Sequence, residues 1–153
     1  MDAYIQSAGG DYAAVRALFD DYTQTPGVIE TCYKSYEQER DTLPGEFAEP
    51  HGRLYLALVD GEPAGCIAMR RFDDSRCEMK RLFVREDFRG RRIAHALVEQ
   101  LLADARREGY RSMVLTIMDT MLAAQALYKG FGFVECAPGA DERSNVIHFE
   151  KAL

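Results

Sequence analysis

Asp60-Gly61 does more than any other feature to limit the folds open to this chain. The pair lies between residues 53–59 (RLYLALV) and 64–72 (AGCIAMRRF), two strand-like apolar runs. An Asp-Gly dipeptide readily adopts the positive φ that a two-residue hairpin requires, so the two runs are predicted to pair antiparallel. Asp73-Asp74-Ser75 marks a second turn, and residues 76–84 (RCEMKRLFV) form a third strand. A three-stranded meander is therefore expected in mid-chain. It leads almost at once into a helical pattern at 91–108 with an apolar face of Ile93, Ala94, Leu97, Val98, Leu101, Leu102 and Ala105. Gly109 suits the C-cap.

The flanking segments complete the pattern. Residues 2–7 read as a first strand and 11–24 as a helix, with Ala14, Leu18, Tyr22 and Val15, Phe19 at helical spacing and Asp11 able to cap it. Thr25-Pro26-Gly27 breaks that helix, 28–41 forms a second, and 43–52 is a loop with two prolines and two glycines. Residues 111–118 (RSMVLTIM) form a strand buried on both faces. A helix at 120–129, a turn at Gly130 to Gly132, and strands at 133–136 and 145–151 follow. The order β-α-α-β-β-β-α-β-α-β-β is a mixed α/β layer architecture. At 153 residues it is expected to be a single domain, since domains commonly run to ~100–150 residues.

Composition rules out several roles. With 47% hydrophobic and 29% charged residues the chain is globular rather than disordered. No apolar run is long enough for a membrane span, and MDAYIQSAGGDY lacks the charged and apolar regions of a signal peptide. Cys32, Cys66, Cys77 and Cys136 form no CxxC, and His51, His95 and His148 are scattered, so no metal site is expected. A cytoplasmic protein with reduced thiols is the expectation. The net charge of −6 is divided unevenly. Residues 1–50 hold ten acids and three bases, whereas 80–92 hold six bases and two acids. Such a balance disfavours nucleic acid as a partner, and only Phe83 and Phe88 interleave the basic island. The island points instead to one local anionic ligand.

The chemistry concentrates in residues 78–98, EMKRLFVREDFRGRRIAHALV. A strand ends at Val84, a short loop carries Arg89-Gly90-Arg91-Arg92, and a helix begins. A helix N-terminus offers backbone N–H donors and partial positive charge, and with three arginines it can hold a pyrophosphate. The plainer alternative is that the arginines coat a solvated helix end. Neither GxxxxGK[ST] nor GxGxxG is present. The segment Arg89-Gly90-Arg91-Arg92-Ile93-Ala94 after Leu82-Phe83-Val84 resembles the signature of the GNAT superfamily of acetyl-CoA-dependent N-acetyltransferases, which is a strand, Arg/Gln-x-x-Gly-x-Gly/Ala, then a helix. Ala124-x-x-Leu127-Tyr128-x-x-x-Gly132-Phe133 resembles the family's other hallmark. The likeness runs from near residue 4 to the C-terminus. Two positions depart from it. Arg92 stands where the family has glycine, and Met121 where it often has asparagine. If the backbone at Arg92 must take positive φ, its side chain costs energy. The favoured reading is an ordinary first-turn residue that adds a cation near the phosphates.

The resemblance implies a mostly antiparallel sheet flanked by helices, with acetyl-CoA as acyl donor and no metal. The donor's arm would lie where the strand ending at Val84 splays from strand 111–118, paired with backbone groups of Leu82 and Val84. The amides of residues 90–94 would hold the pyrophosphate. Tyr128 would give a proton or hydrogen bond to the departing thiolate. Glu78 would be the general base, on one face with Lys80, Leu82 and Val84 by strand alternation; a surface carboxylate paired with Arg76, Lys80 or Arg70 is the alternative. Cys77 is the weaker candidate, as an acyl-carrying nucleophile. The acceptor would be an amine of a small molecule or peptide, bound by the first two helices. Asp20, Asp21, Glu30, Glu37 and Glu39 there would favour a cationic one, with Tyr33, Tyr36 and Tyr55 as wall or core. A non-catalytic acyl-CoA-binding module is the other class of reading, and a homodimer is consistent with the family.

Overall fold

A computed structural model describes residues 3–25 and 28–153, with the side chains of 29–35 left out of the description. The expected strand start at Asp2, the break at Pro26-Gly27, and the side chains of Glu30, Cys32 and Tyr33 lie outside the described residues. The elements are β1 (Tyr4–Ser7), α1 (Tyr12–Tyr22), α2 (Val28–Asp41), β2 (Arg53–Val59), β3 (Glu62–Arg71), β4 (Arg76–Val84), α3 (Ile93–Arg107), β5 (Ser112–Met118), α4 (Leu122–Gly130), β6 (Val134–Cys136) and β7 (Val146–Ala152). This is the expected order, with short 3-10 turns added at Gly45–Phe47 and Glu86–Phe88. Asp11 caps α1 by accepting from the Ala14 amide at 3.3 Å.

The strands form one sheet in the order β1-β2-β3-β4-β5-β7-β6. Every neighbouring pair is antiparallel except β4 and β5, which run parallel. The meander β2-β3-β4 turns at Asp60-Gly61, where both residues take positive φ (53° and 80°) as a tight hairpin demands.

Each face of the sheet has its own core. On one face Leu97, Val98, Leu101 and Ala105 of α3 pack on Ile67, Met69, Cys77, Met79, Met113 and Leu115, joined by Tyr128, Phe133 and Phe149. On the other, Val15, Leu18 and Phe19 of α1 pack with Tyr36 and Phe47 on Leu54, Leu56, Cys66 and Ala68. The fully buried Asp104 of α3 accepts hydrogen bonds from Tyr55, Gln100 and Arg107, and so ties α3 to β2. Tyr55 is therefore part of this support, and its phenol is pushed up to about 12 by burial and by Asp104. Leu101 is wholly buried, so Leu101→Ala should lower the unfolding free energy by ~2–5 kcal/mol in urea titrations followed by circular dichroism.

Candidate active site

The site begins with a break in strand alternation. Cys66 of β3 pairs with Phe83, and Ala68 with Lys80, so Ile67 faces two residues of β4 rather than one. The extra residue is Arg81, whose φ of 60° makes a β-bulge. The bulge shifts the phase of the strand. Met79, Leu82 and Val84 join the α3-side core, while Phe83 packs with the α1-side core. The expectation that Glu78 shares a face with Leu82 and Val84 is thereby corrected. Glu78 and Lys80 instead lie on the α1–α2 face, together with Arg81.

Arg81 is 8% exposed. Its guanidinium donates to Glu39 of α2 at 2.5 Å and lies 5.6 Å from the Tyr36 ring, and Lys80 donates to the same carboxylate at 2.8 Å. A buried guanidinium requires such a partner. On its other edge β4 leaves β5 just before the bulge is reached. The β4–β5 ladder covers only Arg76↔Ser112, Cys77↔Met113 and Glu78↔Val114, although both strands continue. The predicted splay is thus present, and its floor is where Glu78 sits.

The end of β4 leads to the loop before α3. A recess of about 300 Å³ there is lined by Val84, Phe88, Arg89, Gly90, Arg92, Ile93, Ala94 and His95. Arg89 donates to the Val84 carbonyl at 3.1 Å, and Arg91 turns aside over the Phe88 ring at 5.6 Å. Arg92 is the N-cap of α3, with φ 59° and ψ 25° and no hydrogen bond from its side chain to the helix end. Arg92 is therefore not a first-turn residue, and α3 starts at Ile93 rather than 91. A left-handed backbone at this point favours glycine, so the substitution strains the cap. The helix end still presents its amides to the recess, beside two exposed arginines, which suits a pyrophosphate.

A second cavity, of about 240 Å³, opens on the α1–α2 side of the splay. It is lined by Tyr22 of α1, Arg70 of β3, Glu78, Lys80 and Arg81 of β4, Thr116 of β5 and Arg143, among others. Glu78 accepts from Arg70 Nε at 2.6 Å, and its side chain is 14% exposed. Tyr128 does not line this cavity. It is buried on α4, edge-on to Phe133 with ring centroids 5.7 Å apart. Burial, aided by the Tyr22 phenol, raises the Tyr128 pKa well above the ordinary tyrosine value. The phenol therefore remains a proton donor at neutral pH. Ala124 and Met121 pack against the α3-side core near the start of α4. Cys77 is fully buried and burial pushes its thiol up to about 12, which removes it as a nucleophile.

Sequence reasoning missed a chain of side chains beside this cavity. Thr116 Oγ1 lies 2.9 Å from His148 Nδ1, and His148 Nε2 lies 3.1 Å from Asp141 Oδ2. Asp141 accepts hydrogen bonds from the Arg143 amide at 3.0 Å, from its Nε at 2.9 and 3.1 Å, and from its Nη2 at 2.6 Å. These contacts, led by Arg143 and with a smaller part from His148, hold the Asp141 carboxyl near 2. Only the register of β5 on β7, which pairs Thr116 with His148, brings these residues together. The acids of the first two helices are placed differently from expectation. Asp20 pairs with Arg40 at 2.7 Å, Asp21 with Arg85 at 2.8 Å, and Glu39 with Lys80 and Arg81. They balance the chain's own bases.

Residues 14–133 match the Acetyltransferase (GNAT) family. An uncharacterised N-acetyltransferase of Schizosaccharomyces pombe is 34% identical over 80% of this chain and 76% of its own length. Another from Dictyostelium discoideum is 28% identical over 81% of this chain and 85% of its own. Among solved structures, a GNAT acetyltransferase of Staphylococcus aureus superposes with a TM-score of 0.81 at 15% identity, covering 99% of both chains. The PaiA N-acetyltransferase of Thermoplasma acidophilum, in complex with coenzyme A, does so at 0.79 and 15% over 100% of both chains. The chain belongs to the GNAT family and is an acetyl-CoA-dependent acyltransferase. Among the described residues, no group of three or more His, Cys, Asp or Glu is arranged to hold a metal ion, and no helix is long and apolar enough to cross a membrane.

Arg92→Gly should raise stability in urea by ~0.5–1 kcal/mol. Relief of the left-handed strain, ~1–2 kcal/mol, exceeds the entropy that glycine adds to the unfolded chain. A loss of stability would mean that the Arg92 side chain makes a contact worth more than the strain.

Proposed function

We propose that this acyltransferase is an N-acetyltransferase that moves the acetyl group of acetyl-CoA to a primary amine of a small molecule or peptide by direct attack. The observation that carries the reading is the parting of β4 from β5 just where the α3 N-terminus and the acceptor-side cavity converge. The unpaired edge of β4 over Leu82, Phe83 and Val84 suits an extended pantetheine arm, held through backbone groups. The amides of residues 90–94 take the pyrophosphate, with Arg89 and Arg92 lining its recess and Ala124 closing the far side of the arm.

In the reaction the amine nitrogen forms a bond to the thioester carbonyl carbon while the carbon–sulfur bond breaks. The electron pair leaves with sulfur and takes a proton from Tyr128. Glu78 receives the proton lost by nitrogen. The ion pair with Arg70 fixes the carboxylate on the floor of the splay, which supports a positioned base. Acetylated amine and free CoA thiol are the products. N-acetylaspartate synthetases, among them that of Mus musculus (34% identical over 55% of this chain and 28% of its own length), are also similar. That likeness favours a small-molecule acceptor over a peptide.

Two variants test the roles. Tyr128→Phe should lower kcat by about 100-fold, within the usual range for a proton donor, with little change in KM for acetyl-CoA. An unchanged kcat would remove Tyr128 from the acid role. Glu78→Gln should slow turnover by a similar ~100-fold factor at neutral pH, and recover as rising pH frees the amine without a base. A deficit that persists at high pH would argue against Glu78 as base.

A further inference from the structure

A second space adjoins the acceptor-side cavity and is larger than it. This chamber, of about 670 Å³, is lined by β4, β5 and β7 and by the segment 137–141. Glu78, Thr116 and Arg143 line both spaces, so the two meet at the proposed base. The strand register gives them a direction. β4 parts from β5 after Glu78↔Val114, whereas the chamber reaches back to Arg76, Val114 and Glu150, where the ladder is still paired. Along β4 the proposed donor arm and the chamber therefore lie on opposite sides of Glu78. An amine whose nitrogen faces the thioester extends the rest of its body away from the donor, toward the chamber.

The lining indicates what kind of body fits. Its ionic groups are already engaged within the protein. Arg76 donates to Asp73 at 2.7 Å, Ser112 donates to Glu150 at 2.7 Å, Glu78 accepts from Arg70 at 2.6 Å, and Asp141 accepts from Arg143. A polar ligand group would have to compete with these pairs while giving up its own water. Between them the chamber presents Phe72, Val114, Cys136, Ala137, Pro138 and Ala140. Phe72 is 42% exposed, with the Arg76 guanidinium 4.9 Å from its ring centroid. Covering that ring and its neighbours removes apolar surface from water. We infer that the acceptor is a primary amine carrying an apolar, ring-sized body, which occupies this chamber while the nitrogen reaches Glu78. This deepens the proposed acetyl transfer and rests on it.

The segment that borders the chamber is tied to the sheet. Asp141 Oδ2 lies 3.1 Å from His148 Nε2 on β7, and His148 Nδ1 lies 2.9 Å from the Thr116 hydroxyl on β5. A space held open in this way needs little ordering when a ligand enters, so burial of the ring is expressed as affinity.

The test is turnover of acetyl-CoA, read as free thiol, with matched primary amines. 3-Phenylpropylamine is compared with propylamine, cyclohexylmethylamine with methylamine, and glucosamine serves as a polar ring. Rates are compared per neutral amine, because the substituents change amine basicity. The apolar-ring amines should have kcat/KM at least about tenfold above their truncated partners and above glucosamine. Ala137→Trp and Ala140→Trp add bulk at the chamber, and at least one of them should bring the ratio of 3-phenylpropylamine to propylamine toward one. Ratios near one in the unaltered protein, or a preference for glucosamine, would overturn the inference while leaving acetyl transfer intact. So would a ratio that both tryptophan variants leave unchanged. If no amine turns over, the proposed reaction fails. The inference is then read from the melting temperature of the CoA-bound protein, which 3-phenylpropylamine should raise and propylamine should not. Absence of that difference overturns it.

Discussion

The contact on which the site depends is the ion pair between Arg81 and Glu39. Arg81 is nearly buried, sits on a left-handed backbone, and shares Glu39 with Lys80. Each of these conditions is unfavourable alone. A buried guanidinium without a carboxylate would cost several kcal/mol, and a non-glycine residue at positive φ adds ~1–2 kcal/mol. Together they are consistent, because the bulge turns Arg81 toward α2 rather than into the α3-side core. The same residue that joins α2 to the sheet thereby ends strict alternation in β4. The β4–β5 ladder ends at Glu78↔Val114, just before this bulge. The opening between the strands and the buried ion pair that joins α2 to the sheet thus lie side by side on β4.

The meander, α3 and the loop before it were legible from residues 53–109, because their signals are local. Asp60-Gly61 makes the hairpin, the apolar face of α3 has helical period, and Gly109 takes positive φ after the helix. The bulge at Arg81 was not legible. Bulges at positive φ usually announce themselves with glycine, and here an arginine occupies the position, supported from 42 residues away. Arg92 was misread for a related reason. Its neighbours Arg91 and Ile93 look like a helix start, and only the backbone angle shows that the turn is left-handed.

Charge was the least legible quantity. Runs of acid and base were visible, but pairing is set by contacts between segments distant in sequence, such as Asp21 with Arg85 across 64 residues. Among the described residues Asp20 pairs with Arg40 of α2, Glu39 with Lys80 and Arg81 of β4, and Asp21 with Arg85 just past β4. Arg70, Lys80, Arg81 and Arg143 line the cavity beside Glu78, although none of the four belongs to the two acidic helices. A contiguous basic segment such as 89–92 is visible in a linear reading, whereas the acceptor-side cavity is drawn from segments far apart in sequence, from Tyr22 to Val146.

The chain of Thr116, His148, Asp141 and Arg143 shows how such a wall can be kept rigid. Asp141 titrates near 2, so it is ionised through the physiological range and Arg143 always has its partner. The depressed value means that this stabilisation is full above the ordinary carboxylate range and is lost only as pH falls toward 2. His148 Nδ1 lies 2.9 Å from the Thr116 hydroxyl, while Nε2, buried and without a hydrogen bond, lies 3.1 Å from the Asp141 carboxylate. The arginine at the cavity edge is thus connected to β5, the strand that borders the splay. Any change in the β5–β7 register would move Thr116 from His148 and release the loop cation. The β5–β7 register therefore places Thr116 and His148 beside Asp141 and the loop cation it holds.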